Sequence, residues 1–296
     1  MDLIQAVIYG IVQGLTEFLP ISSTAHIRIV PALAGWQDPG AGFTAVIQLG
    51  TVLAVLIYFS RDLWKALTGW TKTLTGQSHD APEGRMGWAI FLGTIPIVVL
   101  GLLGQKWIKG ELRSLWVIAA TLIIMGILMA IAEKVSTKHR LFASVQKKDG
   151  IIVGLWQALA LIPGMSRSGS TITGALFAGF DRATAARFSF LLSVPSILAA
   201  GLKELWDERH NLLSGGNLAS TLVATVVSFI VGYASIAFLM KFIQKRGIMP
   251  FVAYRILLGI VLIALLANGT LDPMAGIVKE PRDMLVFGNG ANAPGH

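Results

Sequence analysis

Between Ile11 and His26 an apolar run carries an amide (Gln13), a carboxylate (Glu17), three consecutive hydroxyls (Ser22, Ser23, Thr24) and an imidazole (His26). About half a chain later a second apolar run is broken by Pro163-Gly164-Met165-Ser166-Arg167-Ser168-Gly169-Ser170-Thr171. Polar groups are costly to hold in hydrocarbon, so two such knots argue for a buried functional site. Gln13 and Glu17, four residues apart, share one face of a helix and can converge on an ion or ligand. A hydroxyl nucleophile needs a base, and a neutral histidine supplies one, so His26 can serve the hydroxyls of Ser22, Ser23 and Thr24 across one turn. Ser22 and Thr24, at the start of a returning helix, can cap its free amides, and such amides also bind phosphate. Arg167 offers a planar fork of donors suited to phosphate, and Ser166, Ser168, Gly164 and Gly169 complete an anion cradle around it. Thr171 supports that cradle from the second knot. The plainer reading of Glu17 and Arg167 is a mutual ion pair that needs no substrate.

Combined, these residues suit phosphoryl transfer to a serine or to water. Arg167 and a divalent cation, Mg2+ or Ca2+, would neutralise the phosphate oxygens, with Glu17 and Gln13 as the cation's ligands. The chain has no Walker loop and no adjoining soluble domain to hold a nucleotide. The expected substrate is therefore amphiphilic, its phosphate at a cavity mouth and its tail between helices. The chain has no cysteine, which excludes thiol catalysis, disulfides and Cys-ligated metals.

The elements that must position these groups follow from composition. Of 296 residues, 54% are hydrophobic and only 14% charged, with a mean hydropathy of +0.68, whereas soluble domains carry roughly 25% charge. The chain reads as an all-α polytopic membrane protein. Runs long enough to cross a bilayer fall at 43–59, 86–105, 112–131, 188–206, 218–242 and 252–266, giving six transmembrane helices and both termini on one side. Runs 3–19 and 151–162 are short for a crossing, and each stops at a proline before a hydroxyl-rich stretch. Such broken helices survive where they line a protein cavity, so both are read as descending arms of re-entrant helical hairpins that return through 22–33 and 170–177. The first run lacks the basic flank of a signal peptide. Arg28 follows in the first returning arm, with a reach extending to the outer headgroups.

Loops 61–85, 134–148 and 241–246 carry twelve basic residues, against eight on the other face. This asymmetry puts the former in the cytoplasm and both termini, with the site's opening, on the periplasmic or extracellular side of a bacterial plasma membrane. The net charge of +8 is spread over loops, which fits anionic membrane lipids as partners and not nucleic acid. Arg182 and Arg187, with Asp181, read as headgroup or interhelical ion-pair residues. Phe43-Thr-Ala-Val-Ile-Gln48-Leu-Gly-Thr51 is loosely echoed from Phe188, at a similar distance after each knot. With one hairpin and three crossings in each half, the second copy is inverted, a pattern that puts a site at the repeat interface. The expected organisation is one membrane domain, 1–268, with repeats near 1–132 and 150–268, and a C-terminal extension, 269–296, whose last residues look disordered.

The two knots, Gln13-Gly-Leu-Thr-Glu17-Phe-Leu-Pro-Ile-Ser22-Ser23-Thr24-Ala-His26 and Pro163-Gly-Met-Ser166-Arg167-Ser168-Gly-Ser-Thr171, resemble the signatures of the undecaprenyl-diphosphate phosphatases, or bacitracin-resistance family, and the resemblance spans nearly the whole chain. It implies removal of the terminal phosphate of undecaprenyl diphosphate, giving the monophosphate carrier of peptidoglycan synthesis. It also implies paired re-entrant hairpins, inverted repeats, an outward-opening cleft, a divalent cation and sensitivity to sequestration of the substrate by bacitracin. The paired acidic signature matches Gln13 and Glu17, the serine-histidine elements match Ser22, Ser23 and His26, and the arginine loop matches Ser166, Arg167 and Ser168. Gln13 departs from the family, where many members have glutamate, and an amide brings no negative charge to a metal. Ser23 activated by His26 is the first assignment for the nucleophile; phosphorylation of His26 and direct attack by water use nearly the same residues. Transport is the alternative, since a lipid-carrier flippase or anion transporter could use Arg167 to bind phosphate without cleaving it. A homodimer remains open.

Overall fold

The computed structural model describes residues 1–77, 81–207, 209 and 217–277. The tail expected to be disordered lies outside them. Twelve α-helices are described: α1 Leu3–Phe18, α2 Ser23–Ala34, α3 Gly40–Tyr58, α4 Ser60–Leu74, α5 Pro82–Leu103, α6 Gln105–Lys109, α7 Leu115–Val135, α8 Lys147–Ala158, α9 Arg167–Phe177, α10 Arg182–Asp207, α11 Asn217–Arg246 and α12 Met249–Ala267. The chain is a multi-pass membrane protein. α5, α7, α10, α11 and α12 are long and apolar enough to cross a bilayer, and α3 joins them if it and α4 form one broken span.

Local chemistry sets the helix ends. Asp2 and Gln5 form a capping box that starts α1, and α2 stops at Gly35, whose φ of 69° suits a residue without a Cβ. Pro82 and Pro250 sit in the first turns of α5 and α12, where a missing amide hydrogen is harmless. α7 starts at Leu115, later than the hydropathy suggests, because Ser114 caps it after a short 3₁₀ turn. α10 starts earlier, at Arg182, because its charged first turns find partners: Arg182 pairs with Glu133 and Arg187 with Asp62.

The main departure is α4, which occupies residues read from sequence as a cytoplasmic loop. It turns 80° from α3 and buries Ala66 and Gly69 while exposing Trp64, Leu67 and Leu74. A search for long apolar runs passes over such an amphipathic helix.

Small residues bring the helices together. A Cβ on Gly10 or Gly14 of α1 would stand within 3 Å of α11, at Ala224 and Val231. Gly150 and Gly154 of α8 press equally closely on Ala89 and Gly93 of α5. With no hydrophobic effect between helices in lipid, such approach and the dispersion contacts it permits hold a bundle together.

Candidate active site

Each knot folds as a helix break followed by a new N-terminus. Ser22 and Ser166 are the N-caps of α2 and α9, and both adopt positive φ, 78° and 72°. Non-glycine residues seldom occupy that region, so each cap is held in place by its surroundings. The Ser22 hydroxyl accepts from the Ala25 amide (3.3 Å), and the Ser166 hydroxyl accepts from the Gly169 amide (3.1 Å). Each cap hydroxyl also meets the hydroxyl two residues on, Ser22 with Thr24 at 3.1 Å and Ser166 with Ser168 at 3.2 Å. Ser23 and Arg167 are thus equivalent, each the first residue of its helix.

The two turns touch. Thr24 Oγ1 accepts from the Gly164 amide (3.4 Å), and Ser168 Oγ donates to the Leu19 carbonyl (3.2 Å). Arg255 of α12, fully buried, locks them: Nη1 donates to the Pro20 carbonyl (3.1 Å) and Nη2 to the carbonyls of Gly164 (2.8 Å) and Met165 (3.2 Å). Both N-termini therefore line one cavity of about 400 Å³. Its polar wall includes Glu17, Ser23, Thr24, Ser166 and Arg167, and its apolar wall includes Ile97, Val98, Leu102, Ile197 and Ala200. Two helix N-termini and a guanidinium make a site for an anion, and the apolar wall suits a hydrocarbon tail.

At the base of the cavity Glu17 receives three donors. Gln13 Nε2 donates to Oε2 at 2.6 Å, Ser23 Oγ donates to the same oxygen at 2.7 Å, and Arg167 Nη2 donates to Oε1. The ion pair anticipated as the plainer reading is therefore present. It uses one nitrogen of Arg167, and no other hydrogen bond from that guanidinium occurs among the described residues, which leaves the rest of the fork for the cavity.

His26 and Thr171 stand apart from this group. Nδ1 of His26 meets the Ser22 carbonyl at 2.7 Å and Nε2 meets the Tyr254 hydroxyl at 2.7 Å. A carbonyl only accepts, so Nδ1 carries the proton and Nε2 of the neutral ring accepts from Tyr254. Among the described residues no hydrogen bond joins His26 to Ser23. Thr171 spends its hydroxyl on the Arg167 carbonyl (2.7 Å) and on Ser189 (2.5 Å), behind the turn and outside the cavity.

For a divalent cation the cavity wall offers one carboxylate, Glu17, and behind it one unusual acceptor: Gln13 Oε1 is buried with no hydrogen-bond partner among the described residues. No group of three or more His, Cys, Asp or Glu side chains able to hold a metal occurs among the described residues. The donors present suit an ion that takes most of its ligands from substrate and water.

The family model described as "Bacitracin resistance protein BacA" matches residues 6–261, a span that takes in both knots and Arg255. The chain belongs to this family. Similar relatives are the undecaprenyl-diphosphatase of Chloroherpeton thalassium, 52% identical over 286 residues that cover 92% of this chain and 99% of the relative, and that of Thermobifida fusca, 49% identical over 281 residues covering 95% and 96%. The undecaprenyl-diphosphatase of Micrococcus luteus is 51% identical over 276 residues, covering 92% of this chain and all of its own.

Within this BacA-family chain, sequence reasoning missed Arg255 and Tyr254. A signal for the first existed, because an arginine inside an apolar crossing is costly and must have partners. It also set Arg28 at the headgroups, whereas that side chain is 2% exposed and lines the cavity.

Proposed function

We propose that this chain is an enzyme that hydrolyses undecaprenyl diphosphate to undecaprenyl phosphate and inorganic phosphate, returning the lipid carrier to peptidoglycan synthesis. The observation that carries the reading is the meeting of Ser23 and Arg167, each the first residue of a capped helix, in one largely apolar cavity. Relatives matched over nearly their full length bear the same activity in their names.

The terminal phosphate lies between the two N-termini, and Arg167 grips its oxygens with the free part of its fork. Ser23 Oγ attacks phosphorus, its proton passes to Glu17 Oε2, and the bridging P–O bond breaks with its electron pair leaving on the lipid monophosphate. Water then cleaves the phosphoserine, restoring the Ser23 hydroxyl. His26, released from Tyr254, serves that second step as base through neutral Nε2. Ser22, Thr24, Ser166 and Ser168 shape the cradle, and Thr171 holds the Arg167 carbonyl from behind. Glu17 and Gln13 Oε1 would hold Mg2+ or Ca2+, which would neutralise phosphate oxygens. Every group named comes from one chain, so the chemistry does not require the homodimer that the sequence leaves open.

The proposed architecture is six crossings, α3, α5, α7, α10, α11 and α12, with re-entrant hairpins α1–α2 and α8–α9, as inverted repeats within one membrane domain. The matched serine caps support it, as does exchanged packing: α1 of the first half lies on α11 of the second, and α8 of the second on α5 of the first. The cavity extends to Gln105, Arg113 and Lys203, at the face poorer in basic loops, which supports an opening outside the cell and both termini there.

Purified protein in detergent, given a long-chain isoprenyl diphosphate, is expected to release inorganic phosphate well above a His26→Ala control. Binding or exchange across a bilayer without release would favour transport instead.

A further inference from the structure

Arg28 has no place in the reaction as described, yet its environment is unusual. Its side chain is 2% exposed, and Nε, Nη1 and Nη2 are all buried with no hydrogen-bond partner among the described residues. Buried guanidinium groups are normally satisfied, because leaving their donors unmade is costly. The nearest acid is Asp38, whose Oδ2 lies 3.4 Å from Nε. That carboxylate is already in use: Arg113 Nη2 donates to Oδ1 at 2.6 Å and Oδ2 at 2.5 Å, and the Gly40 amide donates to Oδ1 at 2.9 Å. Asp272 acts on Arg28 only at longer range. Asp38 is thus shared between two arginines, and among the described residues the two terminal nitrogens of Arg28 have no hydrogen-bond partner.

Arg28 is among the residues that line the cavity together with Ser23, Thr24 and Arg167. Arg28 is four residues beyond Thr24 on α2, so the two share a face. It is five beyond Ser23, roughly 7.5 Å along the axis. Helical side chains lean toward the N-terminus, which brings the guanidinium back toward the catalytic turn. A diphosphate whose terminal phosphorus sits at Ser23 and Arg167 carries its second phosphate in this direction.

We propose that Arg28 is a second phosphate-binding residue, which grips the lipid-linked phosphate while Arg167 grips the terminal one. The inference rests on the hydrolytic reading above. When the bridging P–O bond breaks, its electron pair stays on the lipid monophosphate, and the Arg28 fork faces the charge that develops there. The same contact retains the monophosphate product after inorganic phosphate has gone, and two guanidiniums in line favour a diphosphate over a monoester.

The test separates the two phosphates by equilibrium binding in detergent. Isoprenyl monophosphate and inorganic phosphate are titrated separately into wild type, Arg28→Gln and Arg28→Lys, with turnover of isoprenyl diphosphate measured alongside. Arg28→Gln is expected to weaken isoprenyl monophosphate by at least about tenfold, the scale of a charge-assisted hydrogen bond. Inorganic phosphate binding stays unchanged, and Arg28→Lys falls between the two. If Arg28→Gln fails to fold, the Arg28→Gln/Asp38→Asn double variant, which removes the acid together with the base, gives the same reading. Unchanged monophosphate affinity, or a loss confined to inorganic phosphate, would overturn the assignment. Arg28-dependent monophosphate binding in a wild-type protein that releases no phosphate would keep the subsite and sink the hydrolytic reading.

Discussion

Ser23 and Arg167 occupy the same position in two separate helices, and in the proposed reaction the hydroxyl attacks while the guanidinium binds the anion. Arg167 acts through the shape of its fork as well as its charge. Arg167→Lys is therefore expected to keep the protein folded while lowering kcat/KM by about 10² or more, the scale of losing a donor aimed at the transition state. Gln13 supplies a neutral, unpartnered oxygen where a carboxylate would bring charge. Gln13→Glu should lower the Mg2+ or Ca2+ concentration needed for half-maximal phosphate release, and an unchanged cation dependence would remove Gln13 from the ion's surroundings. Glu17, Ser23 and Arg167 were legible in the sequence because polar groups inside apolar runs stand out and their types name a chemistry. The partner of the Ser23 hydroxyl was not legible. Histidine at short spacing suggested His26, but the start of α2 turns Ser23 toward α1 and hands the ring to Tyr254, 228 residues away.

Helix breaks carry the site, and what holds them decides whether it exists. Arg255 donates to carbonyls of both turns, so it fixes the spacing between the two N-termini. Removing it would leave those carbonyls buried without donors. Arg255→Met should lower the thermal midpoint in detergent and abolish turnover, while Arg255→Lys, which keeps the charge but not the fork, should retain more of the midpoint than of kcat. Equal losses in both variants and both readouts would make Arg255 a packing residue alone. Helices α1 and α8 were readable as short apolar runs stopped by proline, but the glycine stripe that seats each was not. Gly10 and Gly14 precede Glu17 in α1 as Gly150 and Gly154 precede Gln157 in α8, and this spacing is a sharper sign of a repeat than the aliphatic echo between α3 and α10. α4 escaped notice for the opposite reason, since half of it is polar.

Across the whole molecule, contacts sort the loops into two ends. Arg187 pairs with Asp62, Arg182 with Glu133, and Arg85 Nη2 donates to the Ala143 carbonyl at 3.2 Å. At the other end Arg113 pairs with Asp38, and the Ser220 hydroxyl donates to the Met1 carbonyl at 3.0 Å. Composition made the membrane class legible; the register of long-range contacts lay beyond it, because chain separation hides which loops meet. Because the chain lacks cysteine, single substitutions at exposed Gln37 and Ser144 provide clean markers of sidedness. A membrane-impermeant thiol reagent should label Gln37→Cys and not Ser144→Cys in intact cells, and the reverse would turn the cavity to the cytoplasm. The proposed reaction turns on one event, attack by Ser23 on a phosphorus that Arg167 holds. Rapid quenching of the enzyme with isoprenyl diphosphate labelled in its terminal phosphate, followed by peptide mapping, observes that event most directly. Label on Ser23, appearing before free phosphate, is the predicted result; full turnover with the label on His26, or with no labelled protein at all, would contradict it.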